Sequence, residues 1–118
     1  MLVGERDSAV RAIVAFAPSG YSWDRSAELR ARLITAVERM SAPAFFIHAE
    51  NDFSTGAGRA LATEMERVGK PHRLMIYPPV GTIAEEGHDF IHLMTPVWEP
   101  DVFAFLDQYL KTSAKQPN

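Results

Sequence analysis

Two kinds of apolar pattern alternate along the chain, and together they predict an α/β fold. Three short segments are rich in β-forming residues: "AIVAFAP" (12–18), "AFFIHA" (44–49) and "RLMIY" (73–77). The first two are almost continuously apolar, which is typical of strands that are buried on both faces of a parallel sheet. Each segment is followed by residues that favour a turn, which are Pro-Ser-Gly, Asn-Asp and Pro-Pro in that order. The pattern therefore predicts three buried strands.

Apolar residues recur at helical spacing between these strands. A stripe over 29–40 predicts a helix over 22–40 with Ser26 as its N-cap. A second stripe over 61–68 predicts another helix, which ends at Gly69.

A last helix is predicted to begin near Pro100 and to end at Lys111, because acidic residues flank the proline at the positive end of the helix dipole. The order of elements is then β-α-β-α-β-loop-α, which favours right-handed crossovers and a three-layer αβα fold around a short parallel sheet of about three strands. We expect one domain over 1–112 and a frayed tail over 113–118.

Composition and charge narrow the range of partners. The 118 residues are 47% hydrophobic and 23% charged, with a formal net charge of −3, so no basic surface for nucleic acid is expected. There is no cysteine, which excludes disulfides, thiolate metal sites and a cysteine nucleophile from this chain. No apolar stretch is long enough to span a bilayer, and the N-terminus lacks the features of a signal peptide. We therefore expect a cytoplasmic protein with no membrane partner and no cofactor.

Candidate chemistry lies where the second and third strands end. Ligands of open α/β sheets bind beyond the carboxyl ends of the strands. Asp52 follows the second strand, and His88, in "EEGHDF", follows the third. A carboxylate that accepts the Nδ1 proton of an imidazole leaves Nε2 free to take a proton from a nucleophile. The pattern predicts that Asp52 and His88 form such a pair.

These segments resemble a known family. From "RAIVAFAPSG" through "APAFFIHAENDFST" and "GKPHRLMIYPP" to "EEGHDF" and "VFAFLDQYL", the chain resembles the C-terminal half of an α/β-hydrolase of the dienelactone hydrolase type. The resemblance implies a truncated α/β-hydrolase fold and the hydrolysis of carboxylic esters or lactones. It also implies that Asp52 is the acid and His88 the general base of the family's triad, in the family's chain order.

The family's nucleophile has no counterpart in the chain. The family carries it in a G-x-S-x-G or G-x-C-x-G turn upstream of the acid, and neither motif occurs here. The family's earlier oxyanion-hole loop has no counterpart either. Ser19 is the candidate replacement because it follows a strand and precedes a glycine, although turn formation explains a serine there equally well. Ser22 and Ser54 are more simply explained as helix caps.

Other interpretations of the two site residues stay open at this point. Asp52 could instead cap the following helix, and His88 could be a loop histidine that is hydrogen-bonded to backbone. His88 and His92 also form an H-D-x-x-H sequence that could share a metal on a helix. No third ligand is placed by the sequence, so we expect no metal site. His48 and His72 are expected to be packed or surface residues rather than ligands.

Aromatic residues accompany the predicted site. In a complete hydrolase they would line the substrate pocket, and covering the sheet edge is the alternative. These residues are Tyr21, Trp23, Phe53 and Phe90.

The first strand raises the question of a partner. A sheet that ends at this strand has an apolar edge without a protecting charge, so we expect a homodimer through that edge or through the exposed sheet face. A catalytically inactive binding or interaction module that acts as such a homodimer is the alternative function.

Overall fold

Three parallel strands form the sheet at the centre of the protein, and the fold is the small three-layer α/β fold that the apolar pattern predicts. The structure is a computed structural model that describes residues 10–18 and 22–111. The strands are β1 (Ile13–Phe16), β2 (Ala44–Ala49) and β3 (His72–Tyr77). Their order is β1-β2-β3, and both pairs are parallel. Strand β2 is buried along its whole length because it is central, whereas β1 and β3 are the edges of the described sheet.

The helices follow the predicted order but are more numerous than predicted. They are α1 (Ser22–Arg25), α2 (Ala27–Arg39), α3 (Gly56–Arg67), α4 (Ala84–His88), α5 (Phe90–Leu93) and α6 (Thr95–Leu106), and α6 continues into a π-helical turn (Asp107–Lys111). None of the helices in the described part of the chain is both long enough and apolar enough to span a bilayer.

Local signals in the sequence set the ends of α2 and α3. Ser26 is the N-cap of α2, and its Oγ accepts a hydrogen bond from the Leu29 amide at 3.0 Å. Because Ser26 is extended, the predicted helix over 22–40 is divided into α1 and α2. Gly69 has a φ of 72°, and the Lys70 amide donates to the Met65 carbonyl at 2.9 Å, which closes α3.

The helices lie on both faces of the sheet. Helices α2 and α3 pack together on one face, where Phe46 of β2 meets Val37 and Leu61. The connection from β1 to β2 contains α2, and the connection from β2 to β3 contains α3. Both connections lead to the next strand on the same side, so right-handed connections place α2 and α3 on the same face of the sheet. Helix α6 covers the other face, where Phe105 packs against Phe45 at 5.3 Å between ring centroids.

Two predictions about the C-terminal third are wrong. The last helix begins at Thr95 rather than near Pro100, because Pro96 occupies its first turn, where a missing amide proton costs nothing. Pro100 lies inside the helix and is exposed. The turn before Pro100 is held by Trp98, whose ring packs against the core and whose Nε1 donates to the Ile91 carbonyl at 3.1 Å. The segment after β3 is also not simply a loop, since it contains α4 and α5.

The predicted tail over 113–118 lies outside the described residues.

Candidate functional site

Asp52 lies in a tight turn directly after β2. The Asp52 amide donates to the Ala49 carbonyl at 3.1 Å, so the chain folds back at the end of the strand. Asp52 is buried, and its Oδ1 accepts a hydrogen bond from the Phe53 amide at 2.7 Å. It does not cap α3, whose N-cap residue is Thr55 and whose first amide, that of Gly56, donates to the Ser54 Oγ at 3.0 Å. A buried carboxylate in this position needs further donors.

His88 supplies one of these donors. Nδ1 of His88 lies 2.9 Å from Oδ1 of Asp52, and an ionised carboxylate only accepts hydrogen bonds, so Nδ1 carries the proton. The His88 side chain ends α4 and is 43% exposed. No described residue is hydrogen-bonded to its Nε2. The described geometry therefore leaves the lone pair of Nε2 available.

Asn51 positions the segment that leads to His88. Its Nδ2 donates to the carbonyls of Val80 and Ile83 at 2.7 and 3.0 Å, and its Oδ1 accepts from the Val80 amide at 2.8 Å. A Cβ on Gly87 would lie 2.6 Å from the Asn51 backbone, so only glycine allows α4 to approach this closely. Asn51 and Gly87 together fix α4 against the end of β2.

His48 is a member of the site that the sequence analysis did not identify. It lies in β2 and is fully buried, and its Nδ1 is 2.8 Å from Oδ2 of Asp52. The Gly58 amide of α3 donates to Nε2 of His48 at 3.1 Å. The spacing H-x-x-x-D across the end of a strand, followed by a turn, is the signal in the sequence that could have indicated this contact.

The electrostatics of Asp52 follow from these contacts. Burial by itself raises the pKa of the Asp52 carboxyl, but the hydrogen bonds from His48 and His88 outweigh burial and hold the pKa below its ordinary value. Asp52 is therefore ionised at neutral pH. Its negative charge lies next to Nδ1 of both His48 and His88.

The predicted aromatic residues are in different environments. The Phe53 ring is 5.5 Å from the His88 ring, and the residue is 39% exposed, so Phe53 borders the site. Phe90 is buried and stacks on Tyr77 at 5.0 Å, and Trp23 is buried among the residues that pack on α2 and α3. Contact of Trp23 and Phe90 with a substrate stays a prediction. The predicted residues Ser19 and Tyr21 lie outside the described residues.

The histidines of the H-D-x-x-H sequence do not converge. His92 is exposed and pairs with Asp89, with Nδ1 and Oδ1 2.6 Å apart, whereas His88 pairs with Asp52. Within residues 10–18 and 22–111, no group of three or more potential ligands is arranged to hold a metal ion.

Searches of protein-family models, of curated proteins and of solved structures gave no match for the chain.

Proposed function

We propose that the protein hydrolyses carboxylic esters or lactones and is related to α/β-hydrolases of the dienelactone hydrolase type. One observation carries this proposal. Asp52 directly follows β2, and His88 lies in α4, after β3. Oδ1 of Asp52 is 2.9 Å from Nδ1 of His88, and no described residue is hydrogen-bonded to Nε2. A buried carboxylate that fixes the tautomer of a half-exposed histidine is the arrangement of a general base and its orienting acid.

The proton moves through His88 in this mechanism. Nε2 takes a proton from water or from a hydroxyl group while that oxygen attacks the carbonyl carbon of the ester. The imidazolium that forms is stabilised by the negative charge of Asp52. His88 then returns the proton to the departing alkoxide, which restores the neutral base. Ser19 is the hydroxyl group proposed for the attack. In that case the acyl-serine that forms is cleaved by a water that gives its proton to His88, and His88 returns this proton to the Ser19 oxygen as the acid leaves. Phe53 borders the space in which the apolar part of a substrate would lie.

Hydrolysis of p-nitrophenyl esters by wild type and by His88→Ala tests the proposal. We expect His88→Ala to lower kcat/KM by about 100-fold or more, which is the contribution typical of a general base. His92→Ala is the matched control, because His92 is a histidine of the same segment that is exposed and pairs with Asp89 instead. Activity that survives His88→Ala would contradict the mechanism. Ser19→Ala distinguishes the two nucleophiles, since the water mechanism predicts no loss.

A homodimeric binding module without turnover is the second candidate function. Apolar surface in the described residues favours it. Strand β1 is an edge strand, and Phe103, Leu106 and Leu110 line a groove on α6 and the π-helical turn. Phe103 is 59% exposed. Absence of ester hydrolysis together with stable dimerisation would favour this candidate over the first. The cytoplasmic location stays a prediction in either case.

A further inference from the structure

We infer that His48 is a positioning residue that holds the Asp52 carboxylate in the orientation in which it pairs with His88. The catalytic consequence of this inference rests on the proposed function, whereas the geometry can be tested without it. His48 would not touch a substrate, since it is buried in the central strand. It acts through Asp52.

The two oxygens of Asp52 have separate partners. Oδ2 binds Nδ1 of His48 at 2.8 Å, and Oδ1 binds Nδ1 of His88 at 2.9 Å. The side chains of His48 and Asp52 are both completely inaccessible to solvent. Water therefore cannot replace His48 as a donor without rearrangement, and loss of His48 would leave Oδ2 as a buried acceptor without a partner.

The helix α3 determines which nitrogen of His48 carries the proton. The Gly58 amide belongs to the first turn of α3, where amides have no partner inside the helix. It donates to Nε2 of His48, so Nε2 carries a lone pair and Nδ1 carries the proton. His48 in this state is a neutral donor to Asp52. Because His48 is neutral, it orients the carboxylate of Asp52 without neutralising it. The negative charge of Asp52 can then interact with His88.

Close packing holds the His48 ring in place. A Cβ on Gly58 would lie 2.5 Å from Cδ2 and Nε2 of the ring, so a side chain at this position would displace the imidazole. His88, in contrast, ends a short helix and is half-exposed. The hydrogen bonds run from Gly58 through His48 and Asp52 to His88. They thus connect the half-exposed base to the buried central strand.

Two substitutions each remove one of the two hydrogen bonds of His48 and keep the other. In His48→Asn, the side-chain NH2 group lies near the place of Nδ1 and can still donate to Asp52, but the acceptor for Gly58 is lost. In His48→Gln, the side-chain oxygen lies near the place of Nε2 and can accept from Gly58, but the donor to Asp52 is lost. Both variants place a neutral amide in the same buried position, so each is the matched control of the other.

The tautomer of His88 is the measurement that a purely structural role would not change. Nitrogen-15 NMR of the imidazole side chains at neutral pH reports which ring nitrogen carries the proton. We expect His88 to be protonated at Nδ1 in wild type and in His48→Asn, and to shift toward Nε2 in His48→Gln. For ester hydrolysis, we expect His48→Gln to lower kcat on the order of 100-fold with KM unchanged, and His48→Asn to keep most of the activity.

The same spectra give a test that needs no variant. His48 in the wild-type protein must be neutral with its proton on Nδ1, and a proton on Nε2 would overturn the inference even if neither variant folds. An unchanged His88 tautomer in a folded His48→Gln variant would overturn it as well. If the wild type hydrolyses no ester, the proposed function fails, but the two tautomer measurements still decide the role of His48.

Discussion

Three donors surround the carboxylate of Asp52, and each comes from a different part of the chain. They are Nδ1 of His48 in β2, the Phe53 amide in the adjacent turn and Nδ1 of His88 in α4. Hydrogen bonds to the ionised form favour that form, and they outweigh the effect of burial here. The same contacts that would orient a catalytic base thus also make the stability of the fold depend on pH.

The first prediction concerns this dependence on pH. The pKa of Asp52 is lower in the folded state than in the unfolded state, so the unfolded chain binds more protons in acid. The stability that Asp52 contributes is therefore complete above the pKa of an unfolded aspartate, about 4, and is lost as the pH falls through the lower folded value. We expect Asp52→Asn to flatten the dependence of the free energy of unfolding on pH in this acid range, as measured by urea denaturation.

Another carboxyl group titrates in the same range, and the comparison must account for it. The Arg67 guanidinium lowers the pKa of Glu64 to about 2 through a hydrogen bond. Glu64 is present in both wild type and Asp52→Asn, so the difference between the two curves isolates Asp52. A difference that does not change with pH below about 4 would contradict the assignment.

At the scale of elements, Asn51 joins the turn after β2 to the segment between β3 and α4. Its amide group makes three hydrogen bonds to the backbone of Val80 and Ile83. The contact between Asp52 and His88 depends on this connection, because α4 has no long hydrophobic face of its own and contains only five residues.

Asn51→Ala should therefore loosen the segment that carries His88. We expect it to lower the free energy of unfolding by about 2 kcal/mol, since backbone groups lose their partners. It should also speed hydrogen exchange of the Val80 amide, which donates to Asn51. Thr63→Ala is the control, because it removes an exposed side-chain bond to the Arg59 carbonyl and should change stability much less. Unchanged protection of the Val80 amide would show that other contacts hold the segment.

The sequence predicted those elements whose signals are local. Ser26 caps α2, and Gly69 ends α3 with a positive φ, as their positions indicated. The start of α6 differs from the expectation, because the pattern favours Pro100 as the first-turn proline whereas Pro96 occupies that place. A sequence with two prolines four residues apart does not by itself distinguish which one opens the helix.

The role of His48 was not predictable from periodicity. An apolar strand with one histidine favours a packed residue, and His48 is indeed buried. Its two hydrogen bonds depend on the turn at Asp52 and on the position of the first turn of α3, and both are tertiary features. The pairing of Asp52 with His88, in contrast, was expected from the rule that the ends of parallel strands meet at one edge.

At the scale of the whole molecule, the edge of β1 is the feature that bears on assembly. Ile13 donates to the Pro43 carbonyl at 2.9 Å and Ala17 to the Ile47 carbonyl at 2.7 Å, both toward β2. Because successive residues of a strand point their amides in opposite directions, those of Val14 and Phe16 face away from β2. No other described strand pairs with β1. Within the described residues, these backbone groups are therefore available to a second copy of the chain.

Pairing of β1 with its copy across a two-fold axis would give an antiparallel contact and a continuous six-stranded sheet. Light scattering coupled to size-exclusion chromatography should then report a dimer, and hydrogen exchange should show protected Val14 and Phe16 amides. Ala15 is the internal control, because its amide faces β2 and should be protected in a monomer as well. A dimer in which Val14 and Phe16 exchange freely would place the interface on another surface, and the apolar groove at Phe103 is then the next surface to test. A monomer at micromolar concentration would contradict the homodimer itself, and with it the second candidate function.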